Sequence, residues 1–233
     1  MEVKTALDRT IIALDYPDLD SVKAFVDSFD YDSEASPRFV KVGMELFYAA
    51  GPQIITYLKE KNLKVFLDLK VHDIPNTAYG AIRSLANLGV DILNVHAAGG
   101  ITMMQKAKEA LEGFDTKLIA VTILTSLDDN ALATELGIQA KVQDTVLHYA
   151  QNAYEAGLDG IVSSPLEAAM IKEKINKDFL TVCPGIRFAD NQSQDQKRIA
   201  TPDWALVNGC DYIVMGRAIT QAENPSEALV RLL

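Results

Sequence analysis

Eight short runs of Val, Ile and Leu punctuate this chain, with helical patterns between them. The runs are TIIALD (residues 10–15), RFVKVG (38–43), KVFLDLK (64–70), DILNVH (91–96), KLIAVTIL (117–124), GIVSS (160–164), FLTVC (179–183) and YIVMG (212–216). Their interiors are continuous rather than alternating, as parallel strands covered on both faces require. Between them the apolar residues step at helical spacing. Val142, Val146, Tyr149, Ala153 and Ala156 form one stripe, and Pro75 and Asn76 open a helix whose buried face is Ile82, Leu85 and Leu88. A small repeat marks the joints: Gly89 to Asp91, Gly157 to Asp159 and Gly209 to Asp211 each close a helix and open a strand. Glycine takes the left-handed conformation that ends a helix without steric cost, and Asn62 stands in for it ahead of the third run. A strand–helix unit repeated eight times in 233 residues predicts a (β/α)8 barrel, a single domain spanning residues 1–233. A doubly wound open sheet ranks second, and its dinucleotide-binding form is weakened because no G-x-G-x-x-G follows the first run.

Bulk properties narrow the function. Apolar residues make up 48% and charged residues 23%, the balance of an ordinary globular protein. No apolar run approaches the ~20 residues of a membrane span. The opening MEVKTALDRT lacks the apolar core of a secretory signal, so a cytoplasmic protein with no membrane partner is expected. A net charge of −10 argues against nucleic-acid binding, which a basic face drives, but leaves room for a small anion held by a few local cations. Cys183 and Cys210 lie in apolar stretches and read as buried reduced thiols. Neither they nor His72, His96 and His148 show metal-ligand spacing, so no metal is expected. His148 reads as surface or packing, His96 as a hydrogen-bonded rim residue and Trp204 as core.

In a barrel of this kind the active groups sit at the C-terminal ends of the strands. Polar residues collect there: Asp15 after the first run, Lys41 late in the second, Asp68 and Lys70 at the end of the third and His96 at the end of the fourth. Thr125 and Ser126 follow the fifth, Ser163 and Ser164 end the sixth, the stretch from Pro184 to Arg187 follows the seventh, and Gly216 with Arg217 follows the eighth. Strand alternation puts Phe66, Asp68 and Lys70 on one face and Val65, Leu67 and Leu69 on the other. The apolar set suits packing under helices, so Asp68 and Lys70 should point into the barrel mouth. A buried ion pair is a poor stabiliser compared with apolar residues of similar size, which favours a functional role over a structural one. The two Gly/Arg features, at Arg187 and Arg217, suit a phosphate site, because glycine lets backbone N–H groups approach an anion and arginine adds bidentate bonds. The polar segment 188–198 is long for such a connection and reads as a lid.

The stretch DLKVHDIPNT, residues 68–77, resembles the D-x-K-x-x-D-I-x-x-T signature of the orotidine 5′-phosphate decarboxylase family. The likeness extends along nearly the whole chain, through ALD at 13–15, KVG at 41–43, VTILTS at 121–126, PGIR at 184–187 and IVMGR at 213–217. It is closest to the compact bacterial type, which stands alone without a fused transferase domain. The resemblance implies a homodimer with composite sites. In it Lys41, Asp68 and Lys70 of one chain and Asp73 of its neighbour form an alternating charged array. Asp15 and Lys41 hold the ribose with help from the neighbour's Thr77. Thr125, with Ser126 beside it, reads the pyrimidine. Gln196, Arg187 and Arg217 hold the phosphate, and Ile74, Pro184 and Gly216 complete the substrate contacts.

On that reading the substrate is orotidine 5′-monophosphate, the product is UMP, and no cofactor is expected. Loss of CO2 from C6 leaves an in-plane carbanion with no carbonyl sink in reach. A fixed ammonium is then the suitable stabiliser, with Lys70 also protonating C6 and carboxylates on either side favouring its charged form. Two rival readings stand. One is a magnesium-dependent sugar-phosphate decarboxylase or aldolase of the same superfamily, using Asp68 and Asp73 around a metal. The other is a barrel that binds a nucleotide without turning it over.

Overall fold

The apolar runs form eight parallel strands: β1 (Thr10–Ala13), β2 (Phe39–Gly43), β3 (Lys64–Val71), β4 (Ile92–His96), β5 (Lys117–Val121), β6 (Gly160–Val162), β7 (Leu180–Cys183) and β8 (Tyr212–Met215). Each pairs with the next, and β8 pairs back onto β1, so the sheet closes into a barrel. The computed structural model describes residues 5–190 and 200–233. Every strand anticipated from the sequence is present, four of them (β1, β5, β6 and β8) ending one to three residues sooner than the run, although Leu14, Thr122 and Ser163 still donate an N–H to the neighbouring strand.

Alternation sorts the side chains into two layers. Ile11, Phe39, Phe66, Ile92, Ile119 and Val214 meet inside the barrel. Ile12, Val40, Val65, Leu67, Leu93 and Leu118 face outward and are covered by the helices. Both sets are buried, which is why the strands read as unbroken apolar runs. Strand parity continues the inward layer toward the C-terminal mouth. Two residues beyond Phe39, Phe66 and Ile92 stand Lys41, Asp68 and Asn94, on the same inner face.

The joint repeat has a structural job more specific than ending helices. Gly89, Gly157 and Gly209 take φ values of +76, +79 and +97, and Asn62 does the same at +58. The aspartate two residues after each glycine then bonds the start of the neighbouring odd strand. Asp91 accepts from the Val65 N–H at 2.8 Å, Asp159 from Leu118 at 2.8 Å and Asp211 from Thr181 at 2.8 Å. Each also pairs with a lysine from the helix leading into that strand, namely Lys59, Lys108 and Lys172. The device recurs before β4, β6 and β8, so its repeat is two strand–helix units.

Asp159 shows what these pairs contribute. Burial raises its carboxyl pKa, but bonds from Lys108 and the Leu118 N–H, with the charges of Lys108 and Lys117, outweigh that and hold it below its ordinary 3.8. A carboxyl with a lowered native pKa stabilises the fold above its unfolded value and loses that contribution as pH falls through the native one. The stability advantage of wild type over Asp159→Asn is therefore expected to be full at neutral pH and to shrink below pH 3.8. Urea midpoints measured at both ends of that range check it; an advantage independent of pH would contradict the assignment.

Candidate active site

The barrel mouth carries a chain of alternating charges. Lys41 Nζ lies 3.1 Å from Asp15 Oδ1 and 3.5 Å from Asp68 Oδ2, and Lys70 Nζ donates to Asp68 Oδ1 at 2.7 Å. The Asp68 and Lys41 side chains are only 14% and 12% exposed, so their interaction is screened less than a surface pair. Burial alone pushes the Asp68 carboxyl up. The charges of Lys41 and then Lys70, with hydrogen bonds from Lys70 and Asn94, more than offset that and hold it below the usual carboxylate value. Asp68 is thus an anion at neutral pH, fixed between two ammonium groups.

The backbone here is unusual. Lys70 has φ +52, one of two non-glycine residues with positive φ among the described residues. For a side chain with a Cβ this conformation costs roughly 1–2 kcal/mol. It coincides with a register shift between Leu67 and Val71 in the β3–β4 pairing. The Lys70 N–H turns out of the ladder and donates to the side-chain Oδ1 of Asn94 at 2.7 Å, while Asn94 Nδ2 donates to Asp68 Oδ1 at 2.7 Å. Asn94 was not among the residues singled out from the sequence. Its signal was available: it is the polar interruption of ILNVH at inward parity, between Ile92 and His96.

Two cavities open beside the array. The first, about 640 Å³, is lined by Asp15, Lys41, Pro184, Arg187, Gly216 and Arg217 among others. The second, about 680 Å³, has Thr125, Ser164 and Trp204 on its walls and shares Pro184, Gly185 and Arg187 with the first. Gly185, at φ +83, turns the chain between Pro184 and Arg187 and lies on the wall of both cavities. The structure therefore brings together Asp15, Lys41, Asp68, Lys70, Pro184, Arg187, Gly216 and Arg217, with Thr125 next door. Ser126 is exposed and lines neither cavity.

Asp73, Ile74 and Thr77 do not join the array within this chain. Asp73, Ile74 and Thr77 are all exposed; Asp73 accepts from the Ile74 N–H at 2.7 Å, and the helix Pro75–Ala86 begins beside them. Gln196 lies outside the described residues, as does most of segment 188–198. Among the described residues, no group of three or more His, Cys, Asp and Glu side chains is placed to hold a metal ion.

The remaining polar expectations divide. His96 sits at the rim, its Nδ1 accepting from the Ala98 N–H at 3.2 Å, and its ring stacks on His72 with centroids 5.4 Å apart. Burial, then the proximity of His72 and Lys70, lowers its pKa. His148 is exposed. Trp204 is not core: it is 42% exposed. On the six-residue helix Pro202–Val207 the buried positions are Pro202 and Ala205, which turns Trp204 outward.

Fold and mouth together define a class, a (β/α)8-barrel enzyme for a small anionic substrate. Residues 8–232 match the orotidine 5′-phosphate decarboxylase / HUMPS family, and the chain belongs to it. It is 54% identical to the orotidine 5′-phosphate decarboxylase of Streptococcus thermophilus (strain CNRZ 1066) over 221 residues, covering 95% of this chain and 94% of that one. It is 51% identical to the Bacillus pumilus enzyme of the same name over 229 residues, 96% of each chain. The crystal structure of orotidine 5′-phosphate decarboxylase from Lactobacillus acidophilus superposes with a TM-score of 0.84 at 40% identity, covering 97% of both chains.

Proposed function

We propose that this protein, working as a single barrel domain without a cofactor, decarboxylates orotidine 5′-monophosphate to UMP. The observation that carries this reading is the Lys41–Asp68–Lys70 array at the mouth of a barrel whose named relatives are orotidine 5′-phosphate decarboxylases. The C6–carboxylate bond breaks, CO2 leaves, and the electron pair stays on C6 in the plane of the ring. Lys70 Nζ stabilises that charge and donates a proton to C6, and solvent returns the proton to Lys70. Asp68, held as an anion, repels the substrate carboxylate and is relieved as CO2 departs.

The cavity bearing Arg187 and Arg217 takes the phosphate, Asp15 and Lys41 the ribose, and Thr125 the pyrimidine edge. Gln196 joins the arginines on the phosphate, Ser126 stands beside Thr125 outside the cavity walls, and Pro184 and Gly216 complete the contacts. Arg217→Ala is expected to raise KM roughly 10- to 100-fold, the equivalent of one charge-assisted hydrogen bond, in steady-state assays.

Asp73, Ile74 and Thr77 complete the site of a second copy in a homodimer. The exposure of Asp73 and Ile74 beside the mouth supports this, as do the exposed apolar side chains Met44, Tyr48 and Ile74 on the segments after β2 and β3. No described helix is long and apolar enough to cross a membrane, in keeping with a cytoplasmic enzyme.

The family name also spans the group to which the magnesium-dependent rival belongs. Decarboxylation followed by ultraviolet absorbance is expected to be unchanged after exhaustive EDTA treatment. Activity lost on chelation and restored by Mg2+ would overturn the proposal in favour of metal-dependent chemistry.

A further inference from the structure

Asn94 is 1% exposed, inside a barrel where the preceding residue of the same parity is Ile92. A buried amide is costly unless both its ends are bonded, and an apolar residue would suit this layer as its neighbours do. Both ends are bonded, and to the two groups on which the chemistry is proposed to depend. Oδ1 accepts from the Lys70 N–H, and Nδ2 donates to Asp68 Oδ1, each at 2.7 Å. The orientation of the amide is not open to choice, because a backbone N–H can only donate and an ionised carboxylate can only accept.

The two bonds do different things. The register shift after Leu67 takes the Lys70 N–H out of the strand ladder, and its left-handed backbone would relax if that N–H had no fixed acceptor. Asn94 Oδ1 supplies the acceptor and so fixes where the lysine stem begins. Nδ2 meanwhile anchors the oxygen of Asp68 that also receives Lys70 Nζ, while Lys41 faces the other oxygen. Backbone and tip of Lys70 are thereby referenced to one buried side chain on the neighbouring strand.

We propose that Asn94 is a positioning residue for decarboxylation, holding Lys70 and Asp68 in the geometry that serves the transition state. This rests on the proposed function and adds a residue that the family signature in β3 does not contain. The titratable groups around Asn94 are Lys41 from β2, Asp68 and Lys70 from β3 and His96 farther along β4. On the other side its register partner is Ile119 of β5, which carries none.

Two variants test it against wild type in the same assay. Asn94→Ala is expected to lower kcat roughly 10- to 100-fold while KM stays within about threefold, because the geometry lost matters most in the transition state. Asn94→Asp keeps the acceptor for Lys70 but turns an oxygen toward Asp68, so two carboxylates compete for one proton. Its kcat deficit should be large near pH 8 and should shrink toward about pH 5, where the protonated carboxyl again donates to Asp68. A merely structural role would not produce that pH-dependent recovery. Binding of UMP and thermal unfolding report whether each variant is folded. If Asn94→Ala does not fold, the pH profile of Asn94→Asp decides alone. With active wild type, Asn94→Ala kcat within twofold of normal, or an Asn94→Asp deficit constant across pH, overturns the role of Asn94 only. Inactive wild type overturns the proposed function and this inference with it.

Discussion

Lys70→Ala is expected to lower kcat about ten-thousand-fold or more, because in the proposed mechanism one substitution removes both an electrostatic stabiliser and the acid that protonates C6. The fold should persist. Lys70 is part-exposed and lies near the strand's end, and Asp68 keeps Lys41 and Asn94 as partners when the ammonium is gone. Thermal unfolding should shift little, and UMP should still bind through the ribose and phosphate contacts. Turnover within tenfold of wild type in a correctly folded variant would be fatal to the role assigned to Lys70.

The second large effect concerns Asp73. Within one chain its carboxylate is exposed and bonded to the adjacent Ile74 N–H, away from Lys70. If it completes the partner's array, Asp73→Ala should lower kcat about 100- to 1,000-fold, the range for loss of one preorganised charged group. Mixing Lys70→Ala with Asp73→Ala chains gives a sharper readout. A hybrid dimer carries one doubly damaged site and one intact one, so random reassortment should restore about one quarter of wild-type activity per site. No recovery, with subunit exchange verified by mass-tagged chains, would place Asp73 outside any shared site.

Much of this arrangement was legible in the sequence because barrel strands obey simple parity. Phe66 and Asp68 had to share a face, and the apolar Val65 and Leu67 identified the other face as the one under the helices. The structure places them so. The joint motif was legible as a helix stop, including the substitution of Asn62 for glycine, since positive φ is a local property. That its aspartates tie neighbouring strands was not, because the partner backbone lies some 26 to 41 residues away in the chain.

The same limit hid Asn94. The stretch DLK scans as regular strand, and nothing local announces the register shift that turns the Lys70 N–H toward β4. Trp204 failed for a different reason: a large aromatic in a helix usually seeks the core, but the short helix from Pro202 buries another face. Ser126 and Thr125 are adjacent, and sequence could not choose between them; only Thr125 lines the cavity shared with Arg187.

The central claim is that the barrel mouth releases CO2 from C6 and returns a proton to the same carbon. Its most direct test is turnover of orotidine 5′-monophosphate by pure, chelator-treated protein in D2O, with the product examined by NMR and mass spectrometry. The account predicts UMP and CO2 in equal amounts, each UMP carrying a single deuterium at C6, because the Lys70 ammonium exchanges with solvent before it donates. No turnover, or UMP formed without deuterium at C6, would contradict it.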